Sequence, residues 1–329
     1  MSAAPAGVRV RTPATSANLG PGFDAMGLAL DLHDEVEAVP RAGAGVRVSV
    51  EGEGAGQVPE GPDHLVASSY LAACAAAGAP APGVELRCRN AVPHGRGLGS
   101  SASAITAGVA AAAALLGRRG PDGGPDTDWI FRTAADIEGH PDNVAPCVYG
   151  GFTLSWGERG AWRALRLEPD PRLRPVVCVP AERLSTEAAR GLLPAEVPHA
   201  DAAFTAGRAA LLTAAVSGHP ELLLEATQDR LHQHYRAAAM PDSARLISEL
   251  RDLDHLPAVV SGAGPTVLVL AAAPGARNAP VAGDAGQIHR DAVDSIHART
   301  GTGWHIRPLA IDPAGVRISS PRSLTSVEE

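Results

Sequence analysis

What most limits how this chain can fold is the stretch VPHGRGLGSSASAITAG, Val92–Gly108. Glycines at 95, 97 and 99 let the backbone turn tightly and approach a ligand with no Cβ in the way. Ser100 and Ser101 then stand where N-cap residues belong, ahead of a small-residue helix that Gly117 ends. The unpaired N–H groups and dipole of such a helix start attract negative charge, so the stretch can cradle a phosphate without a lysine. The plainer alternative is a Gly-rich strand-to-helix turn with a serine cap, and the loop alone does not decide between them.

The rest of the composition narrows the choice. A chain of 329 residues is long enough for two domains with a site between them. Asp and Glu number 36 against 28 Lys and Arg, and aromatic residues are 3%, which argues against a nucleic-acid surface of basic patches and stacking rings. No lysine occurs anywhere, so a lysine-bearing P-loop, a Schiff base and a lysine general base are excluded. Cys74, Cys88, Cys147 and Cys178 lie far apart without C-x-x-C or a metal-ligand histidine spacing; a reduced cytoplasmic chain with neither zinc nor disulfide is expected. The N-terminus lacks the apolar core of a signal peptide, and no apolar run reaches a bilayer's length, so a soluble protein is expected.

Alternation predicts strands at 7–15, 33–41, 45–54 and 83–93, and helices at 64–78 and 100–116. After a Pro/Gly loop at 118–126, Asp126 or Thr127 caps a helix reaching Glu138, and the chain then returns to a strand by 156. Charged, proline-punctuated sequence from 157 to 175 marks a division into domains 1–166 and 167–329. The second half predicts a strand at 175–181, helices at 185–193, 200–217, 219–236 and 241–253, and two strands flanking SGAGPT. A last helix near 283–299, a strand at 303–311 and a polar, disordered tail after about 318 complete it.

The motif PHGRGLGSSASA resembles the phosphate-binding motif of the GHMP kinase superfamily. PATSANLGPGFDAMGLAL (residues 13–30) and EGHPDNVAP (138–146) followed by a Gly pair resemble its homoserine kinase family in particular. SGAGPT (261–266) resembles the superfamily's third motif. RLSTEAARGLLP and HQHYR also fall in order, and the likeness spans roughly residues 8–320. It implies an α+β, two-domain architecture with the active site in the interdomain cleft, ATP and magnesium as cofactors, L-homoserine as substrate, and room for a homodimer.

The resemblance also implies roles. Pro93, His94, Gly95, Arg96, Gly97, Leu98, Gly99, Ser100, Ser101, Ala102 and Ser103 would hold the nucleotide, with His64 on its adenine side. Ser101 and Glu138 would hold the metal; taken alone, Glu138 reads equally as a solvated helix-end acid. His140, Asp142 and Asn143 would face the amino acid, although HPDN by itself reads as a plain Asx turn. Asp142 is where a general base could sit, and that role stays open, because phosphoryl transfer asks mainly for positioned phosphates and charge stabilisation. An amino-acid substrate needs an anion facing its ammonium and arginines forked onto its carboxylate. The family pattern puts Asn18 and Asp24 on the ammonium and Arg190 and Arg236 on the carboxylate, with Thr186 capping the helix of Arg190. SGAGPT would buttress the phosphate loop from behind, with Thr266 a lesser candidate.

The chain departs from the family at His64 and Thr205, where homoserine kinases commonly carry asparagine. Two rivals therefore stand beside a kinase that converts L-homoserine to O-phospho-L-homoserine in threonine biosynthesis. One is a sister kinase for another small hydroxylated metabolite; the other is a catalytically silent sensor of the same fold.

Overall fold

A computed structural model describes residues 7–273 and 285–320. β1 (Val8–Asn18) runs up to the sharp Asn-Leu-Gly-Pro turn and returns as β2 (Gly22–Pro40), antiparallel to it. The Gly-rich N-terminal motif is thus a strand pair around a turn, and the strand expected at 33–41 is only the far half of a 19-residue one. β3 (Val46–Gly52) lies parallel to β4 (Val84–Asn90), the two joined through α1 (Leu65–Ala76). The phosphate-loop motif follows β4 and opens α2 (Ser100–Leu115), after which come α3 (Thr127–Glu138) and α4 (Val144–Tyr149). β5 (Phe152–Trp156) pairs with β2 and with β6 (Arg163–Leu167), and with β11 (Arg317–Ser319) at its edge the sheet has the order β11-β1-β2-β4-β3, β5 branching from β2 and β6 from β5.

α2 is the central helix of this half. Ala102 and residues 105–113 carry buried small side chains almost all round, and a Cβ on Gly108 would sit 2.3 Å from the Val66 carbonyl oxygen of α1. Small residues are needed there because two helix backbones and a sheet converge on it. The Asp126 side chain caps α3 through the Trp129 N–H at 3.2 Å.

The second sheet, β10-β7-β9-β8, is antiparallel throughout, from β7 (Leu173–Pro180), β8 (Ala258–Val260), β9 (Val267–Ala272) and β10 (Trp304–Pro308). It carries α5 (Thr186–Gly191), α6 (His199–Gly218), α7 (Leu223–Ala226), α8 (Gln233–Arg236), α9 (Pro241–Asp252) and α10 (Ala285–Arg299). The single helix expected over 219–236 is broken between Ala226 and Gln233. There Asp229 draws its carboxylate onto the backbone N–H groups of Leu231, His232 and Gln233 at 2.8–3.1 Å, a local alternative to helical bonding. α4 had no periodic signal, since six residues are too few to show one.

β11 (Arg317–Ser319) pairs with β1, so the start of the segment expected to be a disordered tail is a strand of the first sheet; residues 321–329 of that tail, and the expected helix start near 283, lie outside the described residues. The expected division at 166/167 falls at the end of β6. The sheets change between β6 and β7, and we propose the domain boundary in that connection, with the C-terminal end of the chain crossing back. Among the described residues, no helix is long and apolar enough to cross a membrane.

Candidate active site

Between the two sheets lies a cavity of about 170 Å³ lined by Gly95, Gly97, Gly99, Ser100 and Ser101 on one side. Glu138, His140, Asp142 and Asn143 line its middle, and Asn18, Thr186, Arg190 and Arg236 the other side. Residues as far apart in the chain as Asn18 and Arg236 thus meet in one cleft.

The helix start on the glycine-loop side of the cavity is bare. The N-cap of α2 is Gly99, at φ 67°, and no side chain caps the helix. Ser100 and Ser101, expected as caps, are already helical, so the first backbone N–H groups face the cavity unblocked by a side-chain acceptor. Gly97, at φ 79°, is pressed against the SGAGPT bend: a Cβ there would lie 2.3 Å from the Ser261 carbonyl oxygen. Ser261 Oγ donates to the Gly97 carbonyl at 2.6 Å, and the Thr266 N–H to the Arg96 carbonyl at 3.2 Å. The bend is therefore a solid backing to the loop.

Several expected loop contacts turn out to be structural. Arg96 turns away from the cavity, its Nε and Nη2 donating to the Pro180 and Ala181 carbonyls at 3.0 and 2.8 Å, which ties the loop to the end of β7. Ser103 is buried and donates to Asp34 Oδ2 at 2.9 Å while accepting from Thr12 at 2.8 Å. Leu98 and Ala102 are core residues, and Pro93 is buried too. Asp34, which the sequence did not single out, anchors the loop's approach by accepting from the Ala91 and Val92 N–H groups at 2.8 and 2.9 Å; burial still pushes its carboxyl up.

Beside the loop, a second cavity of about 300 Å³ is lined by Val36, Val58, Pro59, His64, Val66, His94 and Ala104, with Ser100 and Ser101 shared between the two. His64 caps α1, its Nδ1 accepting from the Val66 N–H at 3.2 Å. Burial, then the nearby His94, holds its pKa below the ordinary value, which favours a neutral ring.

In the middle, Ser101 Oγ donates to Glu138 Oε1 at 2.5 Å. Burial pushes the Glu138 carboxyl up, outweighing the help of Ser101 and His140. His140 Nδ1 lies 2.7 Å from Asp142 Oδ1, and its Nε2 3.9 Å from Glu138 Oε1. Burial lowers the His140 pKa, but the Asp142 hydrogen bond and the two carboxylates prevail and raise it. Asp142 is 1% exposed and its Oδ1 also accepts from the Asn143 N–H at 3.0 Å. Asn143 Oδ1 accepts from Thr15 Oγ1 at 2.9 Å.

On the far side, Asn18 is locked: its Nδ2 donates to the Gly262 carbonyl at 2.8 Å and its Oδ1 accepts from the Asp24 N–H at 2.9 Å. Asp24 itself forks onto Arg190 at 2.7 and 3.0 Å, each side chain 37% exposed. Ser185, not Thr186, caps α5, leaving Thr186 on the cavity wall. Arg236 is 1% exposed; it donates to the His232 ring and to the Gly262 carbonyl, and no carboxylate is within ion-pair distance of it among the described residues. Burial, then the charge of Arg190, pulls its pKa down. His232 and Phe23 were missed by sequence reasoning, although the four-residue spacing of His232 and Arg236 puts them one helical turn apart.

Known proteins resemble this chain in both sequence and fold. Residues 64–151 match the family described as GHMP kinases N terminal domain, and residues 211–281 the one described as GHMP kinases C terminal. A homoserine kinase of Streptomyces avermitilis is 50% identical over 95% of this chain and 96% of its own. One of Clavibacter michiganensis subsp. michiganensis is 45% identical over 94% and 92%. The crystal structure of homoserine kinase from Cytophaga hutchinsonii superposes with a TM-score of 0.78 at 25% identity, covering 97% of this chain and 99% of that one.

Proposed function

This chain belongs to the homoserine kinase family of the GHMP kinases, and from that premise we infer that it transfers the terminal phosphoryl group of ATP to the side-chain hydroxyl of L-homoserine, giving O-phospho-L-homoserine. The observation that carries the reading is Arg236. A guanidinium this deeply buried without an acid is unfavourable unless an anion arrives to meet it, and it lines the same cavity as the bare start of α2.

The residues fit a nucleotide and a divalent cation. The loop backbone at Gly97–Ser101 offers N–H groups to phosphate oxygens, the neighbouring apolar cavity beside His64 suits a flat base, and the Ser101 hydroxyl with the Glu138 carboxylate is an oxygen donor pair suited to magnesium. When bound, ATP supplies the phosphoryl group and magnesium neutralises charge on it. Burial raises the Glu138 pKa as the protein stands, and a bound cation would act in the opposite direction by favouring the carboxylate.

The protein's own share is positioning. Arg236 and Arg190 take the α-carboxylate and Asp24 the α-ammonium, so the substrate displaces the Asp24–Arg190 pair by presenting both opposite charges at once. That leaves the side-chain hydroxyl toward His140, Asp142 and Asn143. Asp142 Oδ1 is engaged by His140 and Asn143, which makes this acid first an orienter of His140; as a base it would act through Oδ2. A coupled assay of ADP release with ATP, magnesium and a panel of hydroxyl amino acids and polyols tests the reading. Homoserine should lead by at least about a hundredfold in kcat/KM over any substrate without the carboxylate; parity between them would overturn it.

A further inference from the structure

Arg236 reaches the cavity from α8, a helix of four residues that cannot fix a long side chain alone. Among the described residues, its shortest hydrogen bond, and its one side-chain hydrogen bond, is to His232; longer ones run from Nη1 to the Gly262 carbonyl at 3.3 Å and from Nε to the Ala189 carbonyl at 3.4 Å. Arg236 Nη1 lies 3.0 Å from His232 Nδ1, and His232 Nε2 lies 2.7 Å from the Gly20 carbonyl oxygen; the ring is fully buried. A guanidinium can only donate, so Nδ1 carries the lone pair and Nε2 the proton. The two neighbours thereby select the neutral ring and one tautomer of it.

We propose that His232 is the positioning residue for Arg236, holding the guanidinium in the orientation that receives the substrate's carboxylate; the proposal rests on the homoserine reading above. The surroundings support a fixed part. Phe23 stacks on the imidazole at 5.1 Å and 26°, and the Arg190 and Arg236 guanidinium groups lie 5.9 and 5.5 Å from the centroid of the same Phe23 ring. Asp229 caps the turn that carries His232, and its Oδ2 is 3.7 Å from Nε2; with Asp24 and Arg236 it is the charged group facing the ring. Gly20 belongs to the tight turn Asn18–Gly20, all three residues at positive φ, which also presents Asn18 and Asp24. One ring therefore ties the ammonium side of the site to the carboxylate side.

The test is a double-mutant cycle with two substrates. His232→Leu, Arg236→Leu and the double variant are compared with wild type on homoserine and on 3-amino-1-propanol, which lacks the carboxylate, with thermal unfolding and the KM for ATP measured for each. His232→Leu should raise the KM for homoserine by about tenfold, since it unmoors a charge-assisted contact, with kcat within about twofold and the ATP KM unchanged. The amino alcohol should be used equally by all four proteins, and His232→Leu should add nothing in the Arg236→Leu background. His232→Asn, whose Oδ1 can stand in for Nδ1, should recover most of the loss; if the Leu variant does not fold, His232→Ala, which also lacks an acceptor, takes its place with the same expected rise in KM. An unchanged homoserine KM in the His232 variant that lacks the acceptor, an equal loss on both substrates, or additive effects in the double variant would each overturn the proposal. Failure of wild type to use homoserine at all would instead overturn the underlying reading.

Discussion

The two sides of the cleft, to which we assign the phosphate and the amino acid, are built from opposite materials. On the phosphate side, recognition is built into main chain: Gly97 and Gly99 at positive φ, the uncapped start of α2, and a backing bend that leaves no room for a Cβ. On the amino-acid side it is built from charged side chains, one pair already satisfied internally (Asp24–Arg190) and one arginine buried and waiting (Arg236). Backbone N–H groups cannot be titrated or swung aside, so the phosphate side is preorganised whatever the pH. Side chains can be exchanged for a ligand of matching charge, so the amino-acid side discriminates by what it must give up.

The largest effect should come from breaking the backbone side. Gly97→Val puts a branched side chain into the Ser261 carbonyl and a strained φ into the loop, so the loop must move off its backing. The glycine spacing alone suggests that a side chain here would intrude on a ligand; the structure puts the collision behind the loop instead. Activity should fall by about a thousandfold, read as kcat/KM with ATP affinity by calorimetry on the folded variant. Native ATP affinity would remove the distinction between the two sides.

Next comes Glu138, the acid in the middle of the cavity that bonds Ser101 of the loop. Glu138→Gln should lower kcat by about a hundredfold, since the charge suited to the cation is gone. Its effect on stability runs the other way. Burial raises the folded carboxyl's pKa above its unfolded value, so its favourable contribution is full at low pH and is lost as pH rises through the folded pKa. At neutral pH without magnesium the charged side chain is a liability, and the Gln variant should melt about 2 °C higher. A lower Tm at pH 7 would contradict that sign.

On the amino-acid side, Arg236→Leu should raise the KM for homoserine about thirtyfold and leave the ATP KM within error. A matching change in both would mean that the two sides are not separable. The smallest effect, and the most diagnostic, belongs to Asp24→Asn. It should raise the homoserine KM about tenfold, yet, by releasing Arg190, bind 4-hydroxybutyrate, a carboxylate without the ammonium, more tightly than wild type does. Weaker binding of both ligands in a competition assay would mean that the pair does not guard the site.

The two sides also differed in how far sequence could read them. The loop was legible because backbone chemistry is written locally: alternating glycines and serines before a helix mark a turn and a helix start able to meet an anion, and the ordered motifs then favoured phosphate over a plain capped turn. Even so, the cap fell on Gly99 rather than Ser100, and Arg96 and Ser103, plausible phosphate ligands by position, are bound to Pro180 and Asp34. A side chain's direction depends on what packs opposite it, and sequence spacing does not carry that. Arg190 and Arg236 became candidates only through ordered motifs, since a lone arginine carries no local sign of its partner. Nothing near His232 in the chain announces Gly20, 212 residues away. The helix expected over 219–236 failed for a related reason: its apolar spacing is helical, but Asp229 offers the backbone three competing bonds.

By itself, then, the sequence determined which chemistries were closed to this protein, through the absence of lysine, and where its backbone could hold an anion, because glycine and helix-start properties act within a few residues. It also carried, in the order of its motifs, the likeness that set the fold. Only the tertiary structure decided which charges face the cleft and which are neutralised: Asp24 forked onto Arg190, Arg236 left buried without an acid, and Glu138 drawn onto Ser101. Electrostatic energy depends on distance and burial through space, and those are fixed by how two sheets and their helices come together rather than by neighbours along the chain.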